Sequence, residues 1–290
     1  VKPRRHFAQH WLRSEKALSD IVSAAKLDSS DCVLEVGPGM GVLTRRLLPI
    51  VQTLLAVEID RDLCRVLTKE FGKRSNFLLL NADFLSVDLQ GLLTGFPAFQ
   101  RQNKVVANIP YNITGPIIER LLGTISKPNN NPYDLMVLLV QKEVAERLVA
   151  VPGTKAFGAL SVKVQYLASC EMISVVKAGE FYPPPKVDSA IIRIIPRQIK
   201  DVAESPKFLE TLVKLGFSSK RKMLKNNLQS VIESDRLNSL LEQLDINPLS
   251  RAENLSVEQW VSLANYLYNS GVGVVDSRLE YFAEEEEEED

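Results

Sequence analysis

With 290 residues, 45% of them hydrophobic, the chain is long enough for one large domain and a small one, and no apolar run approaches the ~18 residues of a membrane-spanning helix. Its three cysteines, Cys32, Cys64 and Cys170, are far apart and lack C-x-x-C spacing, which argues against a disulfide framework and a cysteine zinc site and suits a reducing compartment. The net charge of −1 conceals a moderately basic body, because residues 284–290 are all Glu or Asp and without those seven charges 35 basic residues face 29 acidic ones.

In chain order, the first landmarks are the only histidines, His6 and His10. They stand four apart with no third ligand nearby, so no metal site is expected. Residues 14–26 follow with helical spacing, placing Leu18, Ile21, Val22 and Ala25 on one face. Apolar runs then alternate with helical stretches: 33–36, 54–59, 77–80, 105–109 and 135–140, with further strand candidates at 172–176 and 190–195. Their hydrophobicity is continuous rather than alternating, which predicts strands buried on both faces, as in a parallel sheet covered by helices. After Pro196 the pattern changes to short helices, predicted at 207–215, 219–232, 236–244 and 256–268. The expected architecture is a doubly wound, Rossmann-like α/β domain over 1–196, a small helical domain over 197–270 and a disordered acidic tail over 271–290.

The chemistry gathers at the predicted strand ends. The first strand runs into Gly37-Pro38-Gly39-Met40-Gly41 and a helix, where glycines let the backbone turn sharply and approach a ligand. Glu58 ends the second strand, 21 residues beyond Gly37, where a carboxylate can accept both ribose hydroxyls of a nucleoside. Asp83 ends the third and can accept an adenine amino group. Each acid alone reads as a solvated strand end. Together they fit the ligand edge of an open α/β sheet. The glycines read G-x-G-x-G rather than the dinucleotide pattern G-x-G-x-x-G, which looks like S-adenosyl-L-methionine methyltransferases.

Asn108-Ile109-Pro110-Tyr111 ends the fourth strand. The amino nitrogen of adenine is a poor nucleophile because its lone pair is delocalised into the ring. An Asn side-chain carbonyl and the adjacent backbone carbonyl can accept its two hydrogens and draw electron density back onto nitrogen. Tyr111 can stack on the base, which must be unpaired or flipped to enter.

In series, these motifs resemble the small-subunit ribosomal RNA adenine dimethyltransferase family over residues 4–265. The blocks that carry the resemblance are RHFAQHWL at 5–12, EVGPGMG at 35–41, VEID at 57–60, NIPYNITGP at 108–116, QKEVAERL at 141–148, FGALSV at 157–162, FYPPPKVDS at 181–189 and FSSKRKML at 217–224. The resemblance implies that His10 and Leu12 line the cofactor, Gly37 approaches its methionine part, Glu58 holds its ribose and Asp83 its adenine. It implies that Asn108 lies between cofactor and target base, and that Phe181 stacks on that base opposite Tyr111. Ala8 departs from the family's usual Gly. The basic stretch Lys220, Arg221, Lys222 and Lys225, expected to open a helix, reads alone as a solvated face. With the resemblance it becomes a candidate contact to the rRNA phosphate backbone.

The implied reaction is dimethylation of N6 on two adjacent adenosines near the 3′ end of 16S rRNA, by a monomer acting on the small ribosomal subunit or its precursor. Two rivals share the fold: a large-subunit (23S) rRNA adenine dimethyltransferase, and a ribosome-assembly or transcription factor without catalysis. The 141–148, 157–162 and 181–189 blocks match the small-subunit branch better, and the intact Glu58, Asp83 and NIPY motif argue against lost catalysis. The expected location is the bacterial cytoplasm. The alternative is a plastid or other organelle after removal of a transit peptide, since the sequence opens with Val1.

Overall fold

The computed structural model describes residues 9–198 and 202–272. His6, Ala8 and residues 273–290 of the acidic tail lie outside the described residues. The chain divides into two compact units. The first takes residues up to 123, 129–149 and 168–197; the second takes 124–128, 150–167 and 198 onward. The helical unit thus draws in a segment, 150–167, from well before residue 196.

In the first unit, β1 (Trp11–Leu12) precedes an alternation of strands and helices: α1 (Glu15–Ala25), β2 (Cys32–Val36), α2 (Thr44–Leu47), β3 (Thr53–Glu58), α3 (Arg61–Phe71), β4 (Phe77–Asn81), α4 (Leu89–Leu93), β5 (Lys104–Asn108), α5 (Thr114–Leu122), β6 (Leu135–Gln141) and α6 (Lys142–Leu148). After α7 (Ala159–Leu167), which belongs to the second unit, come β7 (Ala168–Val176), β8 (Phe181–Tyr182) and β9 (Ser189–Pro196).

Seven strands form one sheet in the order β4-β3-β2-β5-β6-β9-β7. The five from β4 to β6 are parallel, whereas β9 runs antiparallel to both β6 and β7. Every residue of β3 is buried; for Leu54–Val57 this follows from their unbroken apolar run, whereas Thr53 and Glu58 are buried polar ends. At the edge, β7 mixes buried and exposed positions and carries an irregularity between Met172 and Ser174. From β2 the chain steps outward through β3 to β4, then crosses back to β5 on the other side of β2. That reversal opens a crevice at the carboxyl ends of β2 and β5, where open α/β sheets bind ligands.

Local chemistry fixes the flanking helices. Ser14 caps α1 by accepting from Ala17 N at 3.2 Å, and Leu18, Ile21 and Ala25 are turned into the core. Asp60 caps α3 by accepting from Asp62 N at 2.9 Å, and Leu63, Leu67 and Phe71 form its buried stripe.

The second unit comprises α7, α8 (Pro206–Gly216), α9 (Leu224–Asn227), α10 (Ser234–Gln243) and α11 (Val257–Asn269). Ser205 caps α8 with Pro206 at its first turn, and Ser256 and Gln259 form a reciprocal capping box on α11. A Cβ at Gly216 would fall inside the buried Trp260 indole, so this glycine permits α8 and α11 to approach. The predicted helix at 219–232 is reduced to the four residues of α9. The reason is Asn227, whose buried amide donates to the carbonyls of Gly216 and Ser219 at 2.6 and 3.0 Å and so folds the intervening chain into a turn. Lys220, Arg221 and Lys222 therefore occupy an exposed turn rather than a helix start, and only Lys225 is helical. No described helix is long and apolar enough to cross a membrane.

Candidate active site

The crevice is walled by the 9–12 segment, the 35–40 loop and the ends of β3, β4 and β5, which bring 57–59, 82–85 and 108–113 to its surface. Gly37, Gly39 and Gly41 have φ of 68°, 59° and 72°, a region that L side chains rarely adopt. They do separate jobs. Gly37 N donates to Val57 O at 2.9 Å, tying the loop to β3. A Cβ on Gly41 would lie 2.7 Å from Phe71 Cε2, so this position lets the loop seat on α3.

Glu58 is 5% exposed. Its Oε2 accepts from Gly39 N at 3.1 Å and its Oε1 from Asp60 N at 2.9 Å. Burial pushes its carboxyl up, and the two backbone amides oppose that shift. Each oxygen keeps acceptor capacity, so the carboxylate can take two hydroxyls of a vicinal diol. Asp60, which caps α3, also accepts from Gln9 Nε2 at 3.1 Å and so holds the N-terminal segment against this corner. Asp83 is exposed at the rim, its Oδ1 accepting from Leu85 N at 2.9 Å.

At the end of β5, Asn108 Nδ2 donates to the His10 carbonyl at 3.3 Å. The amide's donor end is thereby oriented by the protein, leaving Oδ1 as the acceptor for an incoming group. The His10 ring stacks on Tyr111 with centroids 5.5 Å apart and planes at 22°, and its Nδ1 donates to the Pro183 carbonyl at 2.7 Å. The Tyr111 hydroxyl is hydrogen-bonded to Ser189 Oγ, and burial pushes the phenol's titration up.

The structure brings His10, Leu12, Gly37, Glu58, Asp83, Asn108 and Tyr111 to one crevice. Phe181 is not among its lining residues. It is 3% exposed, packs in the core and pairs with Leu12 where β1 and β8 form a two-stranded ribbon. Lys220, Arg221, Lys222 and Lys225 lie in the second unit. Sequence reasoning gave no role to Glu35, 1% exposed, which also lines the crevice and accepts from Thr44 Oγ1 at 2.7 Å. Its burial drives the carboxyl up to about 8. The signal was an acid inside the apolar run Val33-Leu34-Glu35-Val36. Trp11 was missed too: among the described residues its indole N–H is buried without a hydrogen-bond partner, beside Gly39.

Known proteins resemble this chain in sequence and fold. The chain is 66% identical over 267 residues to the ribosomal RNA small subunit methyltransferase A of Trichormus variabilis, covering 92% of this chain and 98% of that protein. It is 53% identical to the protein of the same name from Synechocystis, covering 92% and 96%. A dimethyladenosine transferase from Plasmodium falciparum superposes with a TM-score of 0.74 at 26% identity, over 90% of this chain and 98% of that one. The 23S rRNA methyltransferase ErmE superposes with a TM-score of 0.68, also at 26% identity, over 89% and 99%. The family described as ribosomal RNA adenine dimethylase matches residues 1–269, and the chain belongs to that family.

Proposed function

We propose that this enzyme uses S-adenosyl-L-methionine to dimethylate N6 of two adjacent adenosines near the 3′ end of 16S rRNA, acting on the small ribosomal subunit or its precursor. The observation that carries this is the Asn108 amide, whose donor end is held by His10 at the mouth of a crevice that also contains a buried Glu58. When bound, S-adenosyl-L-methionine supplies an electrophilic methyl group on sulfur.

The residues present fit a nucleoside cofactor. Glu58, Asp83, Gly37, His10 and Leu12 all line the crevice. Glu58 is assigned to the ribose hydroxyls, Asp83 to the adenine amino group, Gly37 to the methionine part, and His10 and Leu12 to the cofactor lining. Asn108 Oδ1 accepts one hydrogen of the target amino group. The Pro110 carbonyl is engaged by Ile113 N and Thr114 Oγ1, so the Ile109 carbonyl is the second acceptor. Together they would localise the nitrogen lone pair and orient the amino group, with Tyr111 stacked on the base. Phe181 can offer a second stacking face only if the β1–β8 ribbon opens locally. In the second unit, Lys220, Arg221, Lys222 and Lys225 are assigned to the rRNA phosphate backbone.

The small-subunit substrate is favoured over the large-subunit one because relatives at 51–66% identity bear the small-subunit name, whereas ErmE stands at 26%. The test offers labelled cofactor with unmethylated small subunits, naked 16S rRNA or large subunits, and maps the product. N6,N6-dimethyladenosine confined to the small subunit is expected; label in the large subunit alone, or none, overturns the assignment.

A further inference from the structure

Beside the crevice the β1–β8 ribbon presents two faces. Phe181 points into the core, and the next residue, Tyr182, is by strand alternation turned outward and 46% exposed. The guanidinium of Arg13 lies 4.2 Å from the centroid of the Tyr182 ring. Arg13 is itself exposed, and its backbone is fixed by Arg13 N donating to Glu180 O at 2.8 Å. Two side chains from distant parts of the sequence thus form a cation–aromatic pair on the β1–β8 ribbon, open to solvent.

Its position matters. Tyr182 immediately precedes Pro183, whose carbonyl holds the His10 ring, and His10 in turn holds Asn108 and stacks on Tyr111. The pair's tyrosine is therefore one residue along the chain from the carbonyl that fixes His10, a wall of the pocket assigned to the target base. Lys186 is exposed on the same loop. Nearby, Lys177 and Asp188 neutralise each other, as do Lys16 and Asp20, and Glu180 is the adjoining acid.

We infer that Tyr182 and Arg13 form a stacking platform for the unpaired nucleotide next to the target adenosine, with the base against the pair and Arg13 and Lys186 facing its phosphate. This rests on the proposed rRNA substrate and deepens it, because flipping one base exposes its neighbour, which then needs a surface of its own. Every base has a π-face, so such a platform holds the flanking nucleotide without reading its identity.

The test compares the parent with Tyr182→Phe and Tyr182→Leu in steady-state methylation of unmethylated small subunits, with cofactor affinity measured in parallel. Stacking on one aromatic side chain corresponds to roughly tenfold to a hundredfold in affinity. Tyr182→Leu is expected to raise KM for the subunit by about that factor, with kcat and cofactor Kd near parent values, and Tyr182→Phe to restore KM. An unchanged KM for Tyr182→Leu overturns the platform. So does an equal loss of cofactor affinity, which would make the pair a staple for the cofactor-lining segment. A parent that methylates no small subunits instead defeats the substrate assignment. The platform is then read separately by quenching of 2-aminopurine beside an unpaired adenosine in a short RNA, which the parent should show and Tyr182→Leu should lose; absent quenching in the parent overturns it.

Discussion

At the scale of single residues, Glu35 makes a distinctive demand on pH. Its carboxyl is driven up to about 8, first by burial and further by the charge of Glu58, while the bond from Thr44 opposes the shift. The unfolded chain releases this proton near the ordinary glutamate value and the folded chain holds it to about 8. Between those values the unfolded state binds fewer protons, so stability falls as pH rises and levels off above the folded value. Glu35→Gln removes that titration and keeps an acceptor for Thr44. It should stabilise the protein by on the order of 3 kcal/mol at pH 7 and by little at pH 4.5, read as urea midpoints at the two values. Glu58→Ala should weaken cofactor binding by roughly tenfold or more in calorimetry, because charged acceptors for hydroxyls contribute about 1.5–3 kcal/mol each. Asn108→Ala should slow single-turnover methylation by about a hundredfold to a thousandfold while RNA binding persists. Asn108→Asp should fall between parent and Ala. It retains an acceptor oxygen but sets a carboxylate against the His10 carbonyl. The positions of Glu58 and Asn108 were legible because each ends a strand of recognisable hydrophobicity, whereas Asp83, expected to end the third strand, lies two residues beyond it, since β4 stops at Asn81. The hydrogen bond that makes Asn108 directional is accepted by the His10 carbonyl, 98 residues away, and no local pattern encodes such a pairing.

At the scale of elements, periodicity located the strands and the capped helices well, because Ser14, Asp60, Ser205 and Ser256 write their starts into the sequence. It failed at 219–232, where side-chain bonds spanning 11 and 8 residues override helical spacing. Asn227 reaches the carbonyl of Gly216, which ends α8, and that of Ser219 just beyond it, and the chain between Ser219 and Asn227 is folded into a turn. One consequence bears on RNA. Three adjacent cations in an exposed turn can spread toward different phosphates, whereas on a helix they would splay around the axis. Replacing Lys220, Arg221 and Lys222 together with Ala should weaken rRNA binding and leave cofactor affinity unchanged. The slope of log affinity against log salt should become shallower by about 0.7–0.9 for each phosphate that is no longer neutralised. An unaltered slope would return the cluster to a solvated face.

At the scale of the whole molecule, the sheet could be counted from the sequence but not fully oriented. β7 and β9 look like the other apolar strands, and strand direction depends on the connections, which periodicity does not carry. The division into units was equally hidden. Residues 150–167 fall within the domain expected over 1–196, yet they cluster with the C-terminal helices, and the Tyr166 hydroxyl accepts from Ala203 N at 3.1 Å. A fragment ending at residue 196 should therefore leave the buried faces of Val162 and Tyr166 uncovered, and should bind a hydrophobic dye and aggregate. A monodisperse fragment with a cooperative melt would argue otherwise. The backbone passes between the units five times, and this sets a schedule during synthesis. The last strand of the first unit is complete at Pro196, but the partners of α7 are not all made until the end of α11 at Asn269. At ~5–20 residues per second, α7 waits roughly 4–15 s after the sheet is finished, an interval in which a nascent-chain chaperone has something apolar to hold.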